Sequence, residues 1–202
     1  MATSTTTKGN ATRDRMIEAT IDLLRNTGFA GAGINDVIKT SGAPKGSLYH
    51  FFPQGKQQLV SEALQVYAAR VLKVIEEGLS GGEDPGGKVR ALFGVFARRL
   101  EASRFRASCA AGAVSLDLED DLEAIRLIIA VAFSQWIDMI AGQLNLPDPE
   151  RGRAFADLML TTIEGAYIRG RAERSSRPFI EAGQWLAQLA ELLATAAPRD
   201  AA

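Results

Sequence analysis

Apolar residues recur at three- and four-residue intervals along nearly the whole chain, and no stretch alternates with period two for long enough to predict a strand. A chain patterned this way buries its apolar stripes by packing helix on helix, so the expected fold class is all-α. The first helix is expected from about Thr12, a suitable N-cap, to Thr27, with Met16, Ile17, Thr20, Leu23 and Leu24 on one stripe and Gly28 ending it. A short helix over 33–41 carries Ile34, Val37 and Ile38 and is closed by Gly42. Pro44 suits the first turn of a third helix over 44–50, where its missing N–H would have had no partner. Beyond the break at Pro53-Gln54-Gly55, a long helix runs through Leu59, Ala63, Tyr67, Val71 and Ile75 to the glycine-rich stretch 78–87. Further helices are expected over 89–102, 109–118, 121–144 and 149–174, with a last one ending near 197. The helix over 121–144 is apolar on most of its circumference and is expected to sit centrally.

This pattern divides the chain into a polar, disordered tail (1–11), a domain of three short helices (12–55), a larger helical bundle (56–197) and a second tail (198–202). The long helix from Lys56 bridges the two domains. Cys109 is the only cysteine and His50 the only histidine, so no intrachain disulfide forms and the usual Cys/His zinc sites and His-based catalytic devices lack their parts. No cofactor, no metal and no enzymatic activity are expected. The longest apolar run, near 127–133, falls far short of the ~20 residues of a spanning helix, and the first ten residues hold no apolar stretch of a secretory signal. The expected location is therefore the cytoplasm, with no membrane partner.

The net charge of −1 does not by itself point to a polyanion, but its distribution is uneven. Residues 1–60 carry seven Lys and Arg against four Asp and Glu, a balance of +3 that leaves −4 for the rest. A basic end on an acidic body suits a protein of which one end meets phosphate.

Residues 44–51 carry the most information. On a helical wheel Pro44, Leu48 and Phe51 fall on one side, and Lys45, Gly46, Tyr49 and His50 on the other. One side anchors to a core while the other offers a cation, a phenol, an imidazole and bare backbone. Lys45 suits a phosphate or a guanine edge, Ser47 and Tyr49 donate to phosphate or base, and Gly46 lets backbone approach. Lys56 adds charge where free helix N–H groups already favour an anion. Two short helices joined through Gly42, the second displaying such a face, form a helix-turn-helix whose second helix enters the major groove. A surface helix with an incidental lysine and tyrosine would produce the same wheel.

The run Gly42-Ala43-Pro44-Lys45-Gly46-Ser47-Leu48-Tyr49-His50-Phe51-Phe52, followed by Lys56 and Leu59, resembles the N-terminal signature of the TetR/AcrR family of transcriptional regulators. The match extends back through Ile17, Ala19, Leu23, Leu24, Gly28, Phe29 and Val37. The resemblance implies an all-helical homodimer with a helix-turn-helix DNA-binding domain and a C-terminal bundle for ligand binding and dimerisation. It also implies that Lys45, Gly46, Ser47, Tyr49, His50 and Lys56 face double-stranded operator DNA. Ala32-Gly33 depart from it, standing where the family commonly opens its second helix with Thr or Ser.

The C-terminal half, with Ser108-Cys109-Ala110-Ala111-Gly112-Ala113 before the acidic run 117–123, resembles the LmrA/YxaF-like branch of the family. That branch implies a small apolar effector, for which Phe93, Phe96, Cys109, Phe133, Trp136, Ile140 and Tyr167 are the candidate residues. The same aromatics would equally serve as core, and a lone cysteine beside alanines is an ordinary small buried hydrophobe. Acidic residues at a helix start complement the helix dipole. Gly82 to Lys88 nearly spells a phosphate-binding loop, but Val89 replaces the needed hydroxyl and no strand precedes it. Phe155, Met159, Tyr167, Trp185, Leu189 and Leu193 on the last two helices are the candidates for a dimer seam. The expected function is thus a ligand-responsive repressor that binds a palindromic operator as a dimer. Its rival is a helical small-molecule-binding protein or enzyme without DNA binding.

Overall fold

The computed structural model describes residues 3–196, with side chains from Asn10 onward; the expected tail over 198–202 lies outside the described residues. Among the described residues the elements are all helical. They are α1 (Thr3–Gly31), α2 (Ile34–Ser41), α3 (Ser47–Phe51), α4 (Lys56–Leu79), α5 (Pro85–Ala102), α6 (Ala110–Ser115), α7 (Glu123–Leu144, led by a 3-10 turn over Asp120–Leu122), α8 (Pro149–Glu173) and α9 (Arg177–Thr195).

Several expected boundaries are corrected, among them that of α5, which opens at Pro85 within the glycine-rich stretch and not at 89. Helix α1 starts at Thr3, so the stretch expected to be a disordered tail over 1–11 is helical from residue 3, and Thr12 is an interior residue that accepts a hydrogen bond from Arg15 at 3.2 Å. No proline interrupts 3–11, and a single helix glycine at Gly9 costs only about 1 kcal/mol. At its other end α1 kinks where a stop was expected: Gly28 lies at φ 69°, ψ −167°, outside helical space. Helix α3 is also corrected, covering Ser47–Phe51 instead of 44–50. Pro44 opens a turn whose carbonyl accepts from the Ser47 N–H at 2.9 Å.

The chain forms two compact units, Met1–Ala68 with Cys109–Ala130, and Ala69–Ser108 with Val131–Ala202. Helices α4 and α7 each pass from one unit to the other. The core of the first unit is made by Met16, Leu24, Val37, Leu48, Phe52, Leu59 and Val114, all buried. Thr20, also buried there, satisfies its hydroxyl on the Met16 carbonyl at 2.8 Å. In the second unit α5 packs along α9 and α8. A Cβ added at Gly183 of α9 would lie 2.7 Å from Phe93 Cβ, so only glycine permits the observed approach.

Helix α7 is not enclosed on all sides, although its composition suggested a central position: Leu127 and Val131 are about half exposed. An apolar circumference reports what a helix tolerates, not what covers it. By length and composition alone the segment Asp120–Leu144 is long and apolar enough to cross a membrane. The apolar run at 127–133 understated this because Ser134, Gln135 and Asp138 interrupt it.

Candidate nucleic-acid interface

Helix α2 opens at Gly33, whose extended backbone (φ −70°, ψ 147°) carries no side-chain cap. The hydroxyl missing from Ala32-Gly33 is replaced electrostatically, by Asp36 in the first turn. The helix ends at Gly42 in the left-handed region (φ 63°, ψ 23°), where a side chain would cost about 1–2 kcal/mol. That reversal, braced by the Ala43 N–H on Ser41 Oγ at 3.3 Å, delivers the chain into α3.

Leu48 and Phe52, both 0% exposed, fix α3 to the core. The anchor expected from the wheel was Pro44, Leu48 and Phe51; Pro44 is exposed and Phe51 only half-buried, its ring edge-on to His50 at 5.0 Å. Because the helix starts at Ser47, Pro44 never joins its wheel, and the i+4 partner of Leu48 is Phe52. With Leu48 inward the other side faces solvent. Tyr49 is 62% exposed, Lys45, Gly46 and His50 are exposed, and Ser47 is half-buried.

Lys56 stands apart from these five. Its Nζ donates to the Phe29 carbonyl at 2.6 Å and lies 4.2 Å from the centroid of the Phe29 ring. Burial pushes its ammonium down from the ordinary lysine range, and the Asp117 carboxylate pulls it part of the way back. Asp117 also accepts the Ala30 N–H at 3.0 Å. Lys56 and Asp117 therefore both clamp the kinked end of α1, one from the start of α4 and the other from the segment after α6. This clamp escaped the sequence reading because Asp117 is 87 residues from its partner, and an acidic residue before a helix already had an ordinary explanation. Asp117→Ala should lower stability by about 1 kcal/mol through the lost bond, read as a lower urea midpoint at unchanged slope. An unchanged midpoint would show that this bond carries no stability.

Residues 16–63 match the bacterial regulatory proteins of the tetR family, and residues 85–185 match the C-terminal domain of LmrA/YxaF-like transcriptional regulators. An uncharacterized HTH-type transcriptional regulator of Mycobacterium tuberculosis is 33% identical over 174 residues, spanning 82% of this chain and 87% of that one. The chain belongs to the TetR family. LmrA of Bacillus subtilis, an HTH-type transcriptional regulator, is 25% identical over 170 residues, covering 83% of this chain and 90% of its own. In fold, this TetR-family regulator matches CifR, solved on a 26-base-pair operator duplex, with a TM-score of 0.76 at 17% identity over 87% of this chain and 95% of that one. The fold is accordingly an N-terminal helix-turn-helix domain followed by a C-terminal helical domain, and the reading as an enzyme falls.

The other expected sites are only partly assembled. Phe93, Phe96 and Tyr167 of the regulator converge on Phe179, with ring centroids 6.5, 6.3 and 5.0 Å from it. Phe179 is the hub that the sequence reading left out. Trp136 and Ile140 are buried, and Phe133 is half-buried with its ring 5.5 Å from that of Trp136. Cys109 is buried in the first unit, whereas the other six candidates lie in the second. A cleft of about 570 Å³ in the second unit is lined by Ile137, Pro149, Glu150, Arg153, Ala154 and Asp157, none of them an expected pocket residue. Of the dimer candidates, Phe155, Met159 and Tyr167 are buried within the chain, Leu189 and Leu193 are half-buried, and Trp185 is 71% exposed. The exposed apolar residues of α8 and α9 also include Leu158, Ile168, Ile180 and Leu192.

Proposed function

We propose that this regulator is a repressor that binds a palindromic operator as a homodimer, through α3, and leaves it when a small apolar effector enters the C-terminal bundle. The two-sided segment from Lys45 through α3 to Phe52 carries the reading: Leu48 and Phe52 are sealed inside while Lys45, Gly46, Tyr49 and His50 are turned out with no internal task that would occupy them as core residues. Lys45 and Tyr49 read base edges or phosphate, Ser47 donates to phosphate, and the bare backbone at Gly46 permits close approach. Lys56 takes a phosphate only by releasing or sharing the Phe29 carbonyl.

The exposed apolar side chains of α8 and α9 support the dimer. Trp185, Leu189 and Leu192 follow one another at i, i+4 and i+7, a single stripe of α9. A two-fold operator read by a two-fold protein places the two copies of α3 one helical turn, about 34–36 Å, or a multiple of it apart. The aromatic cluster around Phe179 supports an apolar effector, which acts by binding more tightly to the state in which that spacing is wrong. Such a regulator works where the chromosome is, in the cytoplasm, without a membrane partner.

Selection of duplexes from a random-sequence library by the full-length protein tests the reading. Enrichment of an inverted repeat with half-site centres about 10 base pairs or a multiple apart is expected; failure to enrich any repeat contradicts it. Cys109, being buried, is expected to be dispensable: Cys109→Ser should keep any effector-dependent release that the wild type shows. Loss of release with DNA binding intact would make the thiol a sensor.

A further inference from the structure

Residues 1–60 are not the only basic part of the molecule. Where α5 ends beside the turn from α8 to α9, residues 98–106 and 169–181 together hold eight arginines and no lysine, against Glu101, Glu173 and Glu181. The balance is +5 in a chain whose total is −1. The two segments are neighbours in space: a Cβ at Gly170 would lie 2.5 Å from Leu100 Cδ2, and Ser176 donates to the Glu101 carboxylate.

Arginines gather at helix C-termini to complement the dipole, and that is the ordinary explanation to be beaten. It fails on magnitude and on bonding. Two helix ends supply roughly one negative charge between them, against a local excess of +5. The terminal carbonyls are also already taken by backbone: the Phe105 N–H bonds Leu100 O at 3.0 Å, the Arg104 N–H bonds Glu101 O at 2.7 Å, and the Ser175 N–H bonds Gly170 O at 3.0 Å. Arg99, Arg104, Arg106 and Arg174 are exposed. Arg104 and Arg174 also sit at φ 54° and 48°, in the left-handed region where a non-glycine residue costs about 1–2 kcal/mol. The chain holds arginine at these places despite a cheaper choice of Gly or Asn. Guanidinium is the side chain best shaped for bidentate contact with phosphate.

We propose that this arginine cluster is a second duplex-DNA surface, taking backbone phosphates without reading bases. It rests on the reading that the chain works on an operator, and it adds a contact outside the helix-turn-helix. The cluster contributes affinity and salt dependence on any sequence, and no preference between sequences.

The test uses the full-length protein and a labelled mixed-sequence duplex of about 40 base pairs, titrated between about 50 and 200 mM salt. Arg99→Gln, Arg104→Asn, Arg106→Gln and Arg174→Asn are combined, asparagine being chosen where φ is positive because it tolerates that region. The slope of log K against log salt should become shallower by about 2 to 4 for each bound subunit, at roughly 0.9 per lost phosphate contact. The corresponding fourfold Arg→Lys variant should keep most of the slope. An unchanged slope in the neutralised variant overturns the proposal and leaves the cluster to an acidic partner other than DNA. Should the fourfold variant not fold, Arg99→Gln with Arg106→Gln makes the same measurement, with an expected drop of about 1 to 2 for each bound subunit. Lys45→Ala with Tyr49→Ala, assayed alongside on a selected operator duplex, reports separately on α3: wild-type affinity there would refute the reading helix without touching the result for the arginines.

Discussion

Lys45→Ala combined with Tyr49→Ala should weaken operator binding by about three orders of magnitude or more while leaving the fold intact. Each base-edge or phosphate contact made by such side chains is worth about 1–3 kcal/mol. A dimer presents each substitution twice, so four contacts at the low end of that range already reach about 4 kcal/mol, close to a thousandfold. Stability should move by no more than about 0.5 kcal/mol, because Lys45 and Tyr49 are exposed and the anchors Leu48 and Phe52 are untouched. Anisotropy titration together with a urea melt checks both halves. Substituting Leu48 with Ala would also abolish binding, but by opening a cavity costing about 2–5 kcal/mol; the separation of affinity from stability is what identifies α3 as a reader and not merely as part of the core.

With the seam on α9 as proposed, Trp185→Glu should convert the dimer to monomer at micromolar concentration. A tryptophan at the centre of an interface costs about 2 kcal/mol or more when removed. A two-fold interface counts it twice, so the dimer constant should rise by roughly a thousandfold even before the buried carboxylate is considered. Trp185 is 71% exposed and Leu192, two turns on, 67% exposed, so the substitution removes little internal packing. Sedimentation velocity reads the outcome directly. DNA affinity should fall with it, since one subunit holds only one half-site. A Trp185→Glu protein that remains dimeric would move the seam elsewhere on the surface, with the half-exposed Leu127 and Val131 of α7 the first place to look.

What the sequence disclosed and what it hid follow from range. Gly28 and Gly42 were legible as breaks because each sits at positive φ, and local chemistry demands glycine there. The length of α8, Pro149–Glu173, was legible because Asp148 caps it, accepting from the Glu150 and Arg151 N–H groups at 3.1 Å, with proline at its first position. The start of α3 was misplaced because Pro44 opens a turn as readily as a helix. Periodicity identified the apolar residues of α8 and α9 without saying which face each occupies. Phe155, Met159 and Tyr167 went inward and Leu158, Ile168 and Trp185 outward, a choice made by neighbours on other helices such as Phe96, which meets the Tyr167 ring from far off in sequence. The Asp117 clamp and the arginine cluster were hidden for the same reason, each being assembled from segments that only the fold brings together.

The proposed seat of α3 in the major groove is open to photocrosslinking. A photoreactive phenylalanine analogue in place of Tyr49, in the full-length protein on a duplex it has itself selected, should crosslink to nucleotides of both half-sites, about one helical turn or a multiple apart. Retained binding with no crosslink from that position would mean that another surface holds the DNA.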